Sequence, residues 1–257
     1  MSDASQLNNH PERIMIAPSA EVLTYTAAGL FSEIVNGAIK RDGRASVALS
    51  GGGTPRALFT LLAEPDWREA IDWSRVHVFW GDERFVPPTD AQSNFRMANE
   101  TLLSKVPIPT ENVHRFITER GDAAGVAAEY EKTIREYFKG HEPAFDLILL
   151  GLGTNAHTAS LFPNCAALNE TNRLVIAEHI EEVKSERLTF TVPLINAAHD
   201  VCFLVSGGEK AEVVRNVLEG TMNPEQKPAQ LIRPTRGKLT WLMDEAAARL
   251  LPASVRQ

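Results

Sequence analysis

Residues 47–56 read Val-Ala-Leu-Ser-Gly-Gly-Gly-Thr-Pro-Arg, and the change of character halfway along this stretch decides the fold. Val47, Ala48 and Leu49 are an apolar run short enough to be a buried strand. Gly51, Gly52 and Gly53 end it, and Thr54 and Pro55 supply an N-cap and a first helical position. Glycines let bare backbone N–H groups face a ligand, and the open amides of a helix N-terminus attract anions. From this stretch alone, a tight strand-to-helix turn without a ligand reads equally well. No Walker lysine follows, so a nucleotide-binding P-loop is not supported.

The same rhythm repeats outward. Upstream, Ala27, Leu30, Phe31, Ile34, Val35 and Ala38 recur at helical spacing, which predicts a helix over 20–40 with Ser19 as its cap. Downstream, the pattern predicts a helix through Leu58, Leu62 and Ala63, then helices over 93–104, 122–138, 209–218 and 245–250. Strands are expected over 76–80, 145–150, 174–177, 187–192, 201–205 and 239–243. Alternating strands and helices favour an α/β fold, a mostly parallel sheet with helices on both faces, whose ligands gather beyond the carboxyl ends of the strands. Residues 1–18 are expected to be a flexible segment and 19–257 a single domain.

Composition narrows the partners. The chain has 257 residues, 44% of them hydrophobic and 23% charged, with a formal charge of −7. That is enough apolar material for a large core, and the acidic balance argues against nucleic acid or an acidic membrane as partner while leaving small anions open. Its two cysteines, Cys165 and Cys202, have no metal-like spacing. Neither a disulfide framework nor a metal site is therefore expected, and a cytoplasmic setting fits best. No basic leader and no long uninterrupted apolar run point to secretion or a membrane span. Nothing in the pattern speaks to oligomeric state.

Four polar clusters follow expected strands: Gly51 to Thr54, Asp82 to Arg84, Asn155 to His157, and Gly207 to Lys210. His157 is the strongest candidate for proton transfer, because its imidazole titrates near neutrality and it sits in a glycine-containing loop. A loop histidine that only caps or bonds backbone is the plainer reading. Asp82, Glu83 and Arg84 form either an acid/base and anion-binding group or a solvated charge run. Arg187 opens a strand and Lys210 falls in the first turn of a helix, where a cation is mildly disfavoured unless an anion shares the site. Backbone amides, a guanidinium fork and an ammonium together suit a phosphate. Gly151-x-Gly153-x-x-Ala156 matches a loose dinucleotide fingerprint, but Pro163 interrupts soon after and the unit is not the first of the chain, so no nicotinamide cofactor is expected.

Taken together, these residues resemble the 6-phosphogluconolactonases and their glucosamine-6-phosphate isomerase relatives. The resemblance is carried by residues 50–55, by 80–87 with Ser93 and Asn94, by 150–153 with 157–163, by 187–191, by 203–207 with Lys210 and Ala211, and by Pro228 and Ala229 through 241–244. It implies a Rossmann-like domain that hydrolyses 6-phospho-D-glucono-1,5-lactone to 6-phosphogluconate in the pentose phosphate pathway, without cofactor or metal.

The catalytic residues it implies are His157 as general base and Asp82 on sugar hydroxyls or the histidine. Ser50, Gly51, Gly52, Gly53, Thr54, Arg84, Arg187 and Lys210 are expected to bind substrate and phosphate. Arg84 and amides near 153–157 are expected to stabilise the oxyanion. One departure stands out. The family writes Asp-Gly-His where this chain has Asn155-Ala156-His157, so Asp82 or Glu83 would have to stabilise an imidazolium. The rival functions are an isomerase/deaminase of an amino-sugar phosphate and a non-catalytic sugar-phosphate sensor.

Overall fold

The computed structural model describes residues 12–256. Its strands run β1 (Glu12–Ala17), β2 (Ala45–Leu49), β3 (Val76–Trp80), β4 (Asp82–Arg84), β5 (Leu147–Leu150), β6 (Val175–Ile180), β7 (Ser185–Phe190), β8 (Asp200–Val205) and β9 (Lys238–Asp244). The α-helices are α1 (Ala20–Asp42), α2 (Gly53–Leu62), α3 (Pro65–Glu69), α4 (Asn94–Ala98), α5 (Ala123–Phe138), α6 (Val192–Asn196), α7 (Ala211–Leu218) and α8 (Glu245–Ala248).

Six strands form a wholly parallel sheet in the order β1-β9-β8-β5-β2-β3. Every residue of β2 and of β5 is buried, as expected of central parallel strands enclosed on both faces, whose sequences lose the polar alternation. Fully burying a single Val, Leu or Phe contributes about 1.5–3 kcal/mol, so these runs anchor the core. The polar Ser46 within β2 is satisfied by Asp146, which accepts from its backbone N and its Oγ at 2.8 Å each and from Arg41 of α1 at 2.6 Å.

Helix α1 begins at Ser19, whose Oγ accepts from Val22 N, and ends at Gly43 in the left-handed region. By length and composition it could cross a membrane, but it packs on β1, β2, β5, β9 and α2 through Leu23, Ala27, Ala28, Phe31, Val35 and Ala38. It is a core helix of the sheet.

Three expectations need correction. Residues 12–17 of the segment expected to be flexible are strand β1, held in register by β9 from Glu12↔Leu239 to Ala17↔Asp244; residues 1–11 lie outside the described residues. The N-cap of α2 is Gly52 and not Thr54, because Gly52 adopts φ 109°, open to glycine at no steric cost, and the helix starts one residue after it. Finally, the strands expected over 174–177 and 187–192 do not join the main sheet. As β6 and β7 they form a separate antiparallel sheet with β4, in the order β4-β7-β6.

Candidate active site

In the main sheet the chain passes from β2 out to the edge strand β3 and then returns to the other side of β2 as β5. Loops leaving the carboxyl ends of two such strands diverge and open a crevice. The loop after β2 is the glycine run, and the loop after β5 carries His157. The small sheet brings Asp82 and Arg84 on β4 and Arg187 on β7, and the turn after β8 leads to Lys210. A cavity of about 340 Å³ is lined by Ser50, Gly51, Gly52, Gly53, Thr54, Asp82, Arg84, His157, Arg187 and Lys210. The residues expected from the sequence to catalyse and to bind substrate and phosphate therefore line one cleft, and Glu83 does not.

Two glycines are required by what touches them. A Cβ on Gly51 would lie 2.0 Å from Asn94 Oδ1, and one on Gly153 would lie 2.0 Å from His157 Nδ1. At the start of α2 no side chain caps the helix, and Pro55 has no N–H, so the first-turn amides of Gly53 and Thr54, which line the cleft, lack the intrahelical partners that later amides have.

His157 lies between the ring of Phe162, stacked at 4.2 Å between centroids, and the bare face of Gly153. Its Nδ1 is 2.5 Å from Asn155 Oδ1, and its backbone N donates to the same oxygen at 3.2 Å. The amide's other end, Nδ2, donates to both oxygens of Glu182 at 2.9 and 3.0 Å. Burial first, and then the charges of Lys210, Arg187 and Arg84, push the imidazole pKa down to about 4. The ring is therefore neutral at pH 7, with a lone pair available to take a proton.

The cations are crowded. Arg84 and Arg187 are directly opposite in the antiparallel pair β4·β7, an arrangement that repels. Burial and the neighbouring Arg84 both lower the Arg187 pKa. The buried Nε of each arginine and the Oγ of Ser50 have no hydrogen-bond partner among the described residues. Buried donors are normally satisfied, so a hydroxyl and two guanidinium groups with unmatched donors, next to Lys210, form a set that suits an anionic acceptor.

The carboxylates divide differently from the expectation. Glu83 is a structural cap: its oxygens accept from Asn94 N at 2.7 Å, Phe95 N at 2.8 Å, Arg84 N at 2.8 Å and Ser93 Oγ at 3.2 Å. Burial raises its pKa while those amides lower it. Asp82 lines the cleft and accepts from Ser160 Oγ at 2.9 Å. Neither contributes to the shift at His157, where all the charges at work are positive, so the expected carboxylate support for an imidazolium is not present.

Three of the loop amides expected at the oxyanion are engaged elsewhere. Gly153 N donates to His157 O at 2.8 Å, Ala156 N to Gly153 O at 3.0 Å, and His157 N to Asn155. Sequence reasoning missed Ser160, Phe162 and Glu182. The first two lie in the quoted 157–163 motif, but nothing in the spacing brings Glu182 to Asn155.

With this geometry in hand, comparison with known proteins is direct. A family model described as glucosamine-6-phosphate isomerases/6-phosphogluconolactonase matches residues 18–241. The chain is 44% identical to a 6-phosphogluconolactonase of Synechocystis sp. over 217 residues, covering 83% of this chain and 88% of that protein. It is 38% identical to a 6-phosphogluconolactonase of Streptomyces coelicolor over 264 residues, 99% of this chain and 98% of that one. Its structure resembles that of 6-phosphogluconolactonase from Trypanosoma cruzi with a TM-score of 0.84 at 30% identity, covering 95% and 98% of the two chains.

Proposed function

The chain belongs to the glucosamine-6-phosphate isomerase/6-phosphogluconolactonase family, and we propose that it hydrolyses 6-phospho-D-glucono-1,5-lactone to 6-phosphogluconate in the pentose phosphate pathway, with His157 as general base. The observation that carries this reading is a neutral imidazole in the same cleft as three cations and a glycine-lined helix start. The substrate phosphate binds Arg187, Lys210 and the amides of Gly51 to Thr54 with the Ser50 hydroxyl, and this fixes the lactone carbonyl near His157. A water gives a proton to His157 Nε2 as its oxygen bonds to the carbonyl carbon. The tetrahedral oxyanion gathers against Arg84. When it collapses, the bond from that carbon to the ring oxygen breaks, and the imidazolium returns its proton to the departing oxygen. Atoms balance as lactone plus water giving the hydroxy acid, and Asp82, held by Ser160, accepts from sugar hydroxyls.

We infer that the catalytic unit is one α/β domain, whose buried residues form a single cluster from Ala17 to Leu251. We place it in the cytoplasm, in keeping with the free thiols of Cys165 and Cys202. The test is the hydrolysis rate of fresh lactone corrected for spontaneous opening. His157→Ala should lower kcat by about two to four orders of magnitude, the contribution expected of a positioned base, with phosphate binding retained. A wild-type rate in that variant, or ammonia release from glucosamine 6-phosphate without lactone turnover, would refute the assignment.

A further inference from the structure

We propose that Glu182 is a positioning residue that sets the catalytic tautomer of His157 through the Asn155 amide. This rests on the reading of His157 as the base. Glu182 belongs to the short turn Glu181–Val183 between β6 and β7, remote in sequence from the loop after β5. Its carboxylate, when ionised, can only accept hydrogen bonds, whereas an amide donates at one end and accepts at the other. Because both Glu182 oxygens lie 2.9–3.0 Å from Asn155 Nδ2, the amide must turn its NH₂ toward Glu182. Its Oδ1 is thereby committed to His157, where it sits 2.5 Å from Nδ1 and also accepts from the His157 backbone N. An oxygen facing Nδ1 holds the proton on Nδ1, which leaves Nε2 unprotonated and able to accept a proton.

Without Glu182 the amide keeps only the weaker bias of the 3.2 Å bond from the His157 backbone N. Turned over, its NH₂ would donate to a bare Nδ1, the proton would move to Nε2, and the ring could no longer take a proton at the cleft. The turn also reaches the site itself, since Val183 lines the same cavity. In this chain a carboxylate therefore still directs the imidazole although the residue two before it is an amide. The carboxylate comes from a neighbouring sheet and acts by orientation rather than by charge contact.

The test uses three substitutions at an exposed turn and one rescue. Glu182→Gln retains an acceptor and should keep kcat within about threefold of wild type. Glu182→Ala should lower kcat about tenfold with KM unchanged. Glu182→Lys, a pure donor, should draw Asn155 Oδ1 to itself and lower kcat by about a hundredfold or more, since a wrongly placed imidazole proton costs up to about 10⁴ in serine proteases. Adding Asn155→Asp to Glu182→Lys should restore most of the rate, because a carboxylate accepts from Nδ1 whichever way it turns.

Nitrogen-15 NMR of His157 in the free protein reads the tautomer without turnover. It should show Nδ1–H in wild type and in the double variant, and Nε2–H in Glu182→Lys. Unchanged tautomer and kcat in Glu182→Lys would overturn the proposal, as would a rate loss that Asn155→Asp does not rescue. Full activity in His157→Ala would instead remove the base assignment while the NMR result still decides the tautomer.

Discussion

Binding of the substrate phosphate should raise the pKa of His157, and this separates two pH profiles that would otherwise coincide. In the free protein burial, together with the charges of Lys210, Arg187 and Arg84, holds the imidazole at about 4. A phosphate dianion placed among those cations offsets their potential at the ring. For a partly wetted cleft, two charges about 8 Å away at an effective dielectric of about 40 contribute roughly 2 kcal/mol, or about 1.5 pH units.

The rate rises with pH as the base loses its proton. With the phosphorylated lactone, kcat should therefore reach half its plateau between about pH 5 and 6. With unphosphorylated gluconolactone, both kcat and kcat/KM should rise near pH 4, as neither state carries the dianion. The rates can be followed by NMR between pH 3.5 and 7, where spontaneous opening is slowest. Recovery of full activity on return to pH 7 separates titration from unfolding. Coincident kcat profiles for the two lactones would place the phosphate away from the three cations. A kcat independent of pH across this range would show that no group like His157 acts as base.

Four further outcomes follow from the same geometry. Arg187→Ala or Lys210→Ala removes a charge-assisted contact worth about 1.5–3 kcal/mol, so kcat/KM for the phosphorylated lactone should fall roughly ten- to hundredfold; an equal fall with unphosphorylated lactone would remove these residues from the phosphate site. Gly153→Ala puts a methyl where the His157 ring lies, and steady-state kinetics with circular dichroism should find kcat reduced at least tenfold in a folded protein, an effect typical of misplaced catalytic groups. Activity should survive exhaustive chelation if, as proposed, an imidazole activates the water; loss restored by one divalent ion would contradict this. Thermal melts should show stability falling as pH drops from 6.5 to 4. His114 and His157 keep pKa values of about 4 when folded against 6.5 unfolded, so the unfolded chain binds more protons in that window. The slope should flatten in His114→Asn, and a flat wild-type profile would refute the buried, neutral state of these rings.

What the sequence made legible is what acts over short range. Apolar runs ending in glycine located β2 and β5, Ser19 was readable as a cap, and residues directly following strands converged on one cleft because a parallel sheet points its carboxyl ends the same way. What was illegible depends on pairing at a distance. Nothing in residues 174–192 alone distinguishes a strand of the main sheet from a strand of a small antiparallel one, since both show β-branched and apolar residues bounded by polar turns. The cap of α2 was misplaced by two residues because Thr54-Pro55 has the composition of a helix start, and only the φ of Gly52 shows that the helix has already begun.

The misread small sheet is the part that assembles the chemistry. As a member of the main sheet, β7 would send its side chains to helix-covered faces, and Arg187 would be an anomaly there. As the middle strand of β4-β7-β6 it sets Arg187 opposite Arg84, and the turn joining β6 to β7 delivers Glu182 to Asn155. The two arginines repel without an anion between them, so the energetic cost of that pairing is borne by the free protein and would be relieved by the phosphate of the proposed substrate. Burial and the same positive potential lower the proton affinity of His157, and a bound dianion would restore part of it while leaving the ring neutral at pH 7. On the proposed reading, phosphate recognition and base strength are coupled through one set of charges: the group that would anchor the substrate would also raise the proton affinity of the residue that acts on it. An unphosphorylated lactone loses both effects, so its deficit in kcat/KM should exceed what the missing phosphate contacts alone account for.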